Sequence, residues 1–123
     1  MADLIEVCSG SKFKVWMTPQ VAKHLRKADV KQLARCQFWM KKFAEDGFEF
    51  LTPEQLKHEG KFSVGDKRGT QVAIYAFKAW QLRIYGALVG DRFIATDADI
   101  AKKQDQASRD TLEAAARKLA DYL

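Results

Sequence analysis

From Lys12 to Met17 the chain alternates. Phe13, Val15 and Met17 fall on one side and Lys12, Lys14 and Trp16 on the other, the period of a half-buried strand. Thr18-Pro19 then has the form of a helix N-cap followed by proline at the first helical position. Val21, Ala22 and Leu25 supply the apolar stripe of that helix, with Lys23, Arg26 and Lys27 outside it. Asp29 can cap a second helix that runs to about Glu45. Its stripe is Val30, Leu33, Cys36, Met40 and Phe43, Lys31, Arg35 and Lys42 lie away from it, and Gly47 is a natural stop.

The remaining chain is read the same way. Thr52-Pro53-Glu54 is a second cap, starting one short helical turn that ends near His58. Glu59 to Gly69 is a basic loop interrupted by glycines and acids. Gln71–Phe77 is apolar on both sides, as a central strand would be. Gln81–Leu88 places Leu82, Ile84 and Leu88 on one face and Gln81, Arg83 and Tyr85 on the other. Val89-Gly90-Asp91 turns the chain into a strand at Arg92–Thr96. Ser108 can cap a last helix with the stripe Leu112, Ala115, Ala116, Leu119 and Tyr122 and an i,i+4 pair from Glu113 to Arg117. The expectation is one α+β domain over residues 1–123, with two N-terminal helices and a C-terminal helix packed against one face of a small antiparallel sheet.

Composition narrows the class. The chain has 123 residues, 47% of them hydrophobic, and a formal net charge of +5. The charge is uneven: residues 12–46 contain nine lysines and arginines against three acids, while residues 80–123 balance to zero. A basic lobe of this kind suits a polyanion or an acidic protein partner. Two cysteines, Cys8 and Cys36, and two histidines offer neither a disulfide framework nor zinc-ligand spacing. No apolar run is long enough to span a membrane, and the first ten residues lack the layout of a secretory signal, so a cytoplasmic protein without a membrane partner is expected. Glycine-rich phosphate loops and Ser-His-Asp sets are absent.

Three short segments point further. Trp80-Gln81-Leu82-Arg83-Ile84-Tyr85-Gly86 resembles the strand of the RelE/ParE toxin superfamily in which an arginine is followed by apolar residues. Val89-Gly90-Asp91-Arg92-Phe93-Ile94-Ala95 is similar to that family's acidic hairpin turn and following strand. Ile100-Ala101-Lys102-Lys103-Gln104-Asp105 resembles the basic pair ahead of its final helix, as in the HigB-like and phage-derived branch. The resemblance spans roughly residues 12–120. It departs from the family in the long Glu59–Gly69 loop, and in offering only Tyr122 as the aromatic residue near the chain end.

The resemblance implies the toxin of a type II toxin–antitoxin pair, a metal-independent messenger RNA endoribonuclease acting at the ribosome, with no cofactor. Cleavage of that type needs a group to take the 2′-hydroxyl proton, a cation for the phosphorane and a donor for the leaving oxygen. Arginine suits the second task because its fork donates two hydrogen bonds to phosphate oxygens. Arg83 is therefore the first catalytic candidate, against the plainer reading of a strand arginine paired with Asp97 or Asp99. Lys102 and Lys103 are candidates for the phosphate or for acid–base work.

Lys61, Lys67, Arg68, Lys78 and Trp80 are candidate RNA-binding residues, the tryptophan by stacking. His58 is a possible acid or base. Lys23, Arg26, Lys27, Lys31 and Arg35 form a surface on which an antitoxin would dock. Two alternatives stay open: a gyrase-binding toxin of the ParE type, and a catalytically inactive phage-derived binding domain.

Overall fold

The computed structural model describes residues 3–101 and 107–123. In chain order the elements are β1 (Ile5–Ser9), β2 (Lys14–Met17), α1 (Pro19–Leu25), α2 (Val30–Asp46), β3 (Leu56–Ser63), β4 (Gln71–Ala79), β5 (Leu82–Val89), β6 (Arg92–Asp99), α3 (Arg109–Lys118) and a closing 3₁₀ turn, Leu119–Tyr122. All six strands join one sheet in the order β1-β2-β6-β5-β4-β3. Neighbours are antiparallel except β2 and β6, which run parallel with Lys14 opposite Arg92 and Met17 opposite Ala95.

This architecture overturns the expected fold. The sheet is mixed and six-stranded rather than small and antiparallel, and two strands precede the helices. The helices also divide between its faces, α1 and α2 on one and α3 on the other. Val15, Phe77, Leu82, Ile84 and Phe93 pack with Val21, Leu25, Cys36, Met40 and Phe43. Ile74, Ala76, Tyr85, Ala87 and Ile94 pack with Leu112, Ala115 and Ala116.

Both overlooked strands are edge strands, and a bulge spoils the period of each. In β1 the register shifts between Glu6 and Cys8. In β3 it shifts between His58 and Gly60, so a segment that reads as a loop still pairs with β4 from Leu56 to Ser63. The Thr52 cap does form a turn, its carbonyl accepting from the amides of Gln55 and Leu56, but the chain is extended from Leu56 onward.

The helix ends follow local chemistry. The side chains of Thr18, Asp29 and Ser108 accept from the amides of Val21, Gln32 and Thr111. Gly47 closes α2 at φ 74°. Gly10 lets the β1–β2 turn lie on the end of α2: a Cβ there would sit 2.4 Å from the Ala44 carbonyl carbon, and the Ala44 oxygen accepts from the amides of Lys12 and Phe13.

Candidate nucleic-acid interface

The tight turn between β4 and β5 places Trp80 at φ 52°, the one non-glycine residue of positive φ among the described residues. That region suits glycine or asparagine, and a bulky aromatic residue there is strained by of order 1 kcal/mol. The ring gains little burial in exchange, because Trp80 is 65% exposed.

Arg83 braces the turn. It is buried, at 8% exposure, and its Nη1 donates to the carbonyl oxygens of Trp80 and Leu82. Neither acid expected to pair with it does so among the described residues. Asp97 lies 3.1 Å from Lys118 Nζ, and Asp99 accepts from the Tyr85 hydroxyl at 3.0 Å. Burial, together with the nearby Asp99 carboxylate, pushes the Tyr85 hydroxyl above its usual pKa, so it remains a donor. Arg83 thus lies inward, its Nη1 committed to two carbonyls, rather than displayed on an open polar strand face.

Trp80 lies beside α2. With Lys31, Ala34, Arg35 and Phe38 it lines a shallow cavity of about 440 Å³. Phe38 is 54% exposed and packs edge-on against Trp39 at 5.2 Å, and the Arg35 guanidinium sits 5.7 Å from the Trp39 ring centre. A second cleft, about 390 Å³, continues from Ala34 and Phe38 past Gln37 and Lys41 to Val7 and Cys8 on β1. The stripe Lys31, Ala34, Arg35, Phe38 and Lys41 follows helical spacing, with three cations and no acid. Lys42 adds a cation 5.9 Å from the Phe50 ring.

The other candidates scatter. Lys23, Arg26 and Lys27 are exposed on α1 and the turn after it, but they do not line the Trp80 cavity, so the expected docking cluster divides between α1 and α2. Lys78 lies opposite Arg83 in the β4–β5 register. Lys67 and Arg68 are exposed in the β3–β4 turn, and Lys61 lines a groove between β3 and α3. His58 is exposed at the β3 bulge with its ring 5.1 Å from that of Tyr75. Lys102 and Lys103 lie outside the described residues. Cys36 is fully buried and its thiol is pushed up to about 12, chiefly by burial, which leaves it unreactive. Tyr122 packs against the α3-side core.

Sequence reading missed Phe38 and Phe50, whose exposure no helical stripe reveals, and also Arg109 and Arg117. Among the described residues no group of three or more potential ligands could hold a metal ion, and no helix is long and apolar enough to cross a membrane. Compared with known proteins, the chain matches no family model, no curated protein and no solved structure.

Proposed function

We propose that this protein is a toxin-type RNA-binding protein that takes single-stranded messenger RNA on the Trp80 face. The observation behind the proposal is the strained, exposed Trp80 set beside Phe38, Lys31 and Arg35. Strain retained without burial is the pattern of a residue placed for contact with something outside the fold. Exposed rings stack on unpaired bases whatever their sequence, and interleaved cations neutralise the backbone. Duplex nucleic acid offers no free base face, so the arrangement suits a single strand.

The toxin identity rests on the resemblance of the segments around Arg83 and Asp91 to the RelE/ParE superfamily. In this reading Arg83 is a positioning residue: it ties the turn that presents Trp80. An antitoxin with an acidic segment would compete for Lys31 and Arg35, which links inhibition to the same surface.

The test has two arms. A fluorescein-labelled single-stranded RNA titrated against wild type and Trp80→Ala should lose affinity in the variant by about tenfold or more, the size of one base–aromatic stack. Equal binding by both proteins would remove the proposal. Pulsed expression in bacteria, with growth and messenger RNA ends followed together, supplies the second arm. Arrest that weakens in Trp80→Ala supports the toxin reading, and no arrest from the wild type overturns it. New RNA 5′ ends that vanish in Arg83→Ala would extend the mechanism from binding to cleavage.

A further inference from the structure

A groove of about 340 Å³ opens between β3 and α3, at the other end of the sheet from Trp80. Lys61 and Ser63 line it from β3, Gln71 from β4, and Arg109, Glu113 and Arg117 from α3. Gln71, which lines it, and Trp80 are nine residues apart along and just beyond β4, roughly 30 Å at ~3.3 Å per residue.

Its charge is not self-cancelling. The sequence pairs Glu113 with Arg117, but in the fold Glu113 accepts instead from Arg109 Nε at 2.7 Å. Arg117 and Lys61 are exposed, and among the described residues neither forms an ion pair. Gly65 lies at φ 84°, and a Cβ on it would sit 3.5 Å from Arg117 Cγ, so the glycine turn serves as a wall for the arginine stem. The Thr70 amide and hydroxyl both donate to the Asp66 carboxylate, at 2.8 and 2.5 Å, closing the turn that bears Lys67 and Arg68 beside the groove. Two unpaired cations, an oriented third, and the neutral donors Gln71 and Ser63 are the equipment of a phosphate-chain site.

We propose that this groove binds consecutive phosphate groups of a nucleic-acid strand, as a second contact remote from Trp80. Naming the strand as RNA rests on the function proposed above; the phosphate chemistry of the groove does not. Lys61 and Arg117 supply the charge, and Arg109, held by Glu113, directs its remaining donors at the same chain.

The experiment measures binding of a 16-nucleotide single-stranded RNA and of inorganic polyphosphate, which has no bases to stack, across a range of salt. The proteins are wild type, Lys61→Glu/Arg117→Glu, Trp80→Ala, and a control of equal charge change, Lys12→Glu/Lys14→Glu, near the opposite edge of the sheet. Circular dichroism and thermal melts confirm that each variant folds. The groove variant should lose more than tenfold in RNA affinity, and its slope of log K against log salt should fall by about 1.4, the value for two lost phosphate contacts on a single strand.

Polyphosphate binding should fall in the groove variant and be unchanged in Trp80→Ala. Equal losses in the groove and control variants would overturn the proposal, because the effect would then be one of net charge. Polyphosphate bound through the groove, with no RNA binding by the wild type, would keep the phosphate site and remove the RNA reading. RNA binding that depends on Trp80 and ignores the groove charges would do the reverse.

Discussion

The two faces of the sheet differ in what their helices bring to them. Against α1 and α2 the core is aromatic: Phe43 stacks on Phe13 at 4.7 Å and meets Phe48, Phe77 and Phe93 edge-on at 5.0, 5.7 and 6.1 Å. Against α3 the helix side is mostly small, Ala115 and Ala116 beside Leu112, while the strand side mixes Ala76 and Ala87 with Ile74, Tyr85 and Ile94. Thr96 adds a buried bond there from its hydroxyl to the Ala115 carbonyl at 2.8 Å. The first face concentrates its contacts in one ring cluster, and the second sets the buried alanines of α3, Ala115 and Ala116, against the strands.

Substitutions can break that contrast. Phe43→Ala removes the ring at the centre of the cluster and should cost about 3–5 kcal/mol, read as a large fall in the denaturant midpoint. A loss of less than about 1 kcal/mol would mean that the concentrated contacts do not concentrate stability. Ala115→Leu adds volume where the helix rests on the sheet and should cost about 1–3 kcal/mol; an unchanged midpoint would show the α3 face to have slack.

Trp80→Gly sharpens the comparison on the outer side of the first face. Glycine accepts φ 52° without strain, so stability should hold or rise by about 1 kcal/mol while RNA affinity falls. A destabilised variant would mark Trp80 as a packing residue instead.

The smallest effect belongs to the β3–β4 turn. The Thr70 side-chain hydrogen bond, with help from the Thr70 amide, holds the Asp66 carboxyl below its ordinary pKa. A folded-state pKa below the unfolded one means this contribution is present above about pH 4 and disappears as pH falls through the lowered value. Following the Thr70 amide resonance during acid titration should show the transition below the usual aspartate range. Thr70→Val should move it back up, and no change in that variant would dissociate Asp66 from Thr70.

What was legible in the chain was legible for local reasons. Thr18-Pro19, Asp29 and Ser108 announce the three helices because a cap is a contact between residues three apart, and the stripe ending at Phe43 is a one-helix pattern. Edge strands β1 and β3 were not, since a bulge resets the alternation and an edge need not be apolar. The candidate site divides the same way. Trp80 and Lys31 could each be singled out alone, but their shared cavity joins residues 49 positions apart through the packing of α2 on the sheet. Arg83 read as a polar-face arginine serving a phosphate or pairing with Asp97 or Asp99, because its acceptors, the carbonyls of its own turn, exist only once that turn is bent.

The sequence by itself determined the helices, their caps and the central strands β4 to β6, all set by contacts within a few residues or by two-sided hydrophobicity. The tertiary structure alone decided the parallel pairing of β2 with β6, the division of helices between the faces and the exchange of Glu113 from Arg117 to Arg109. Each of these depends on which distant segments pack together, and neither period nor spacing encodes that choice.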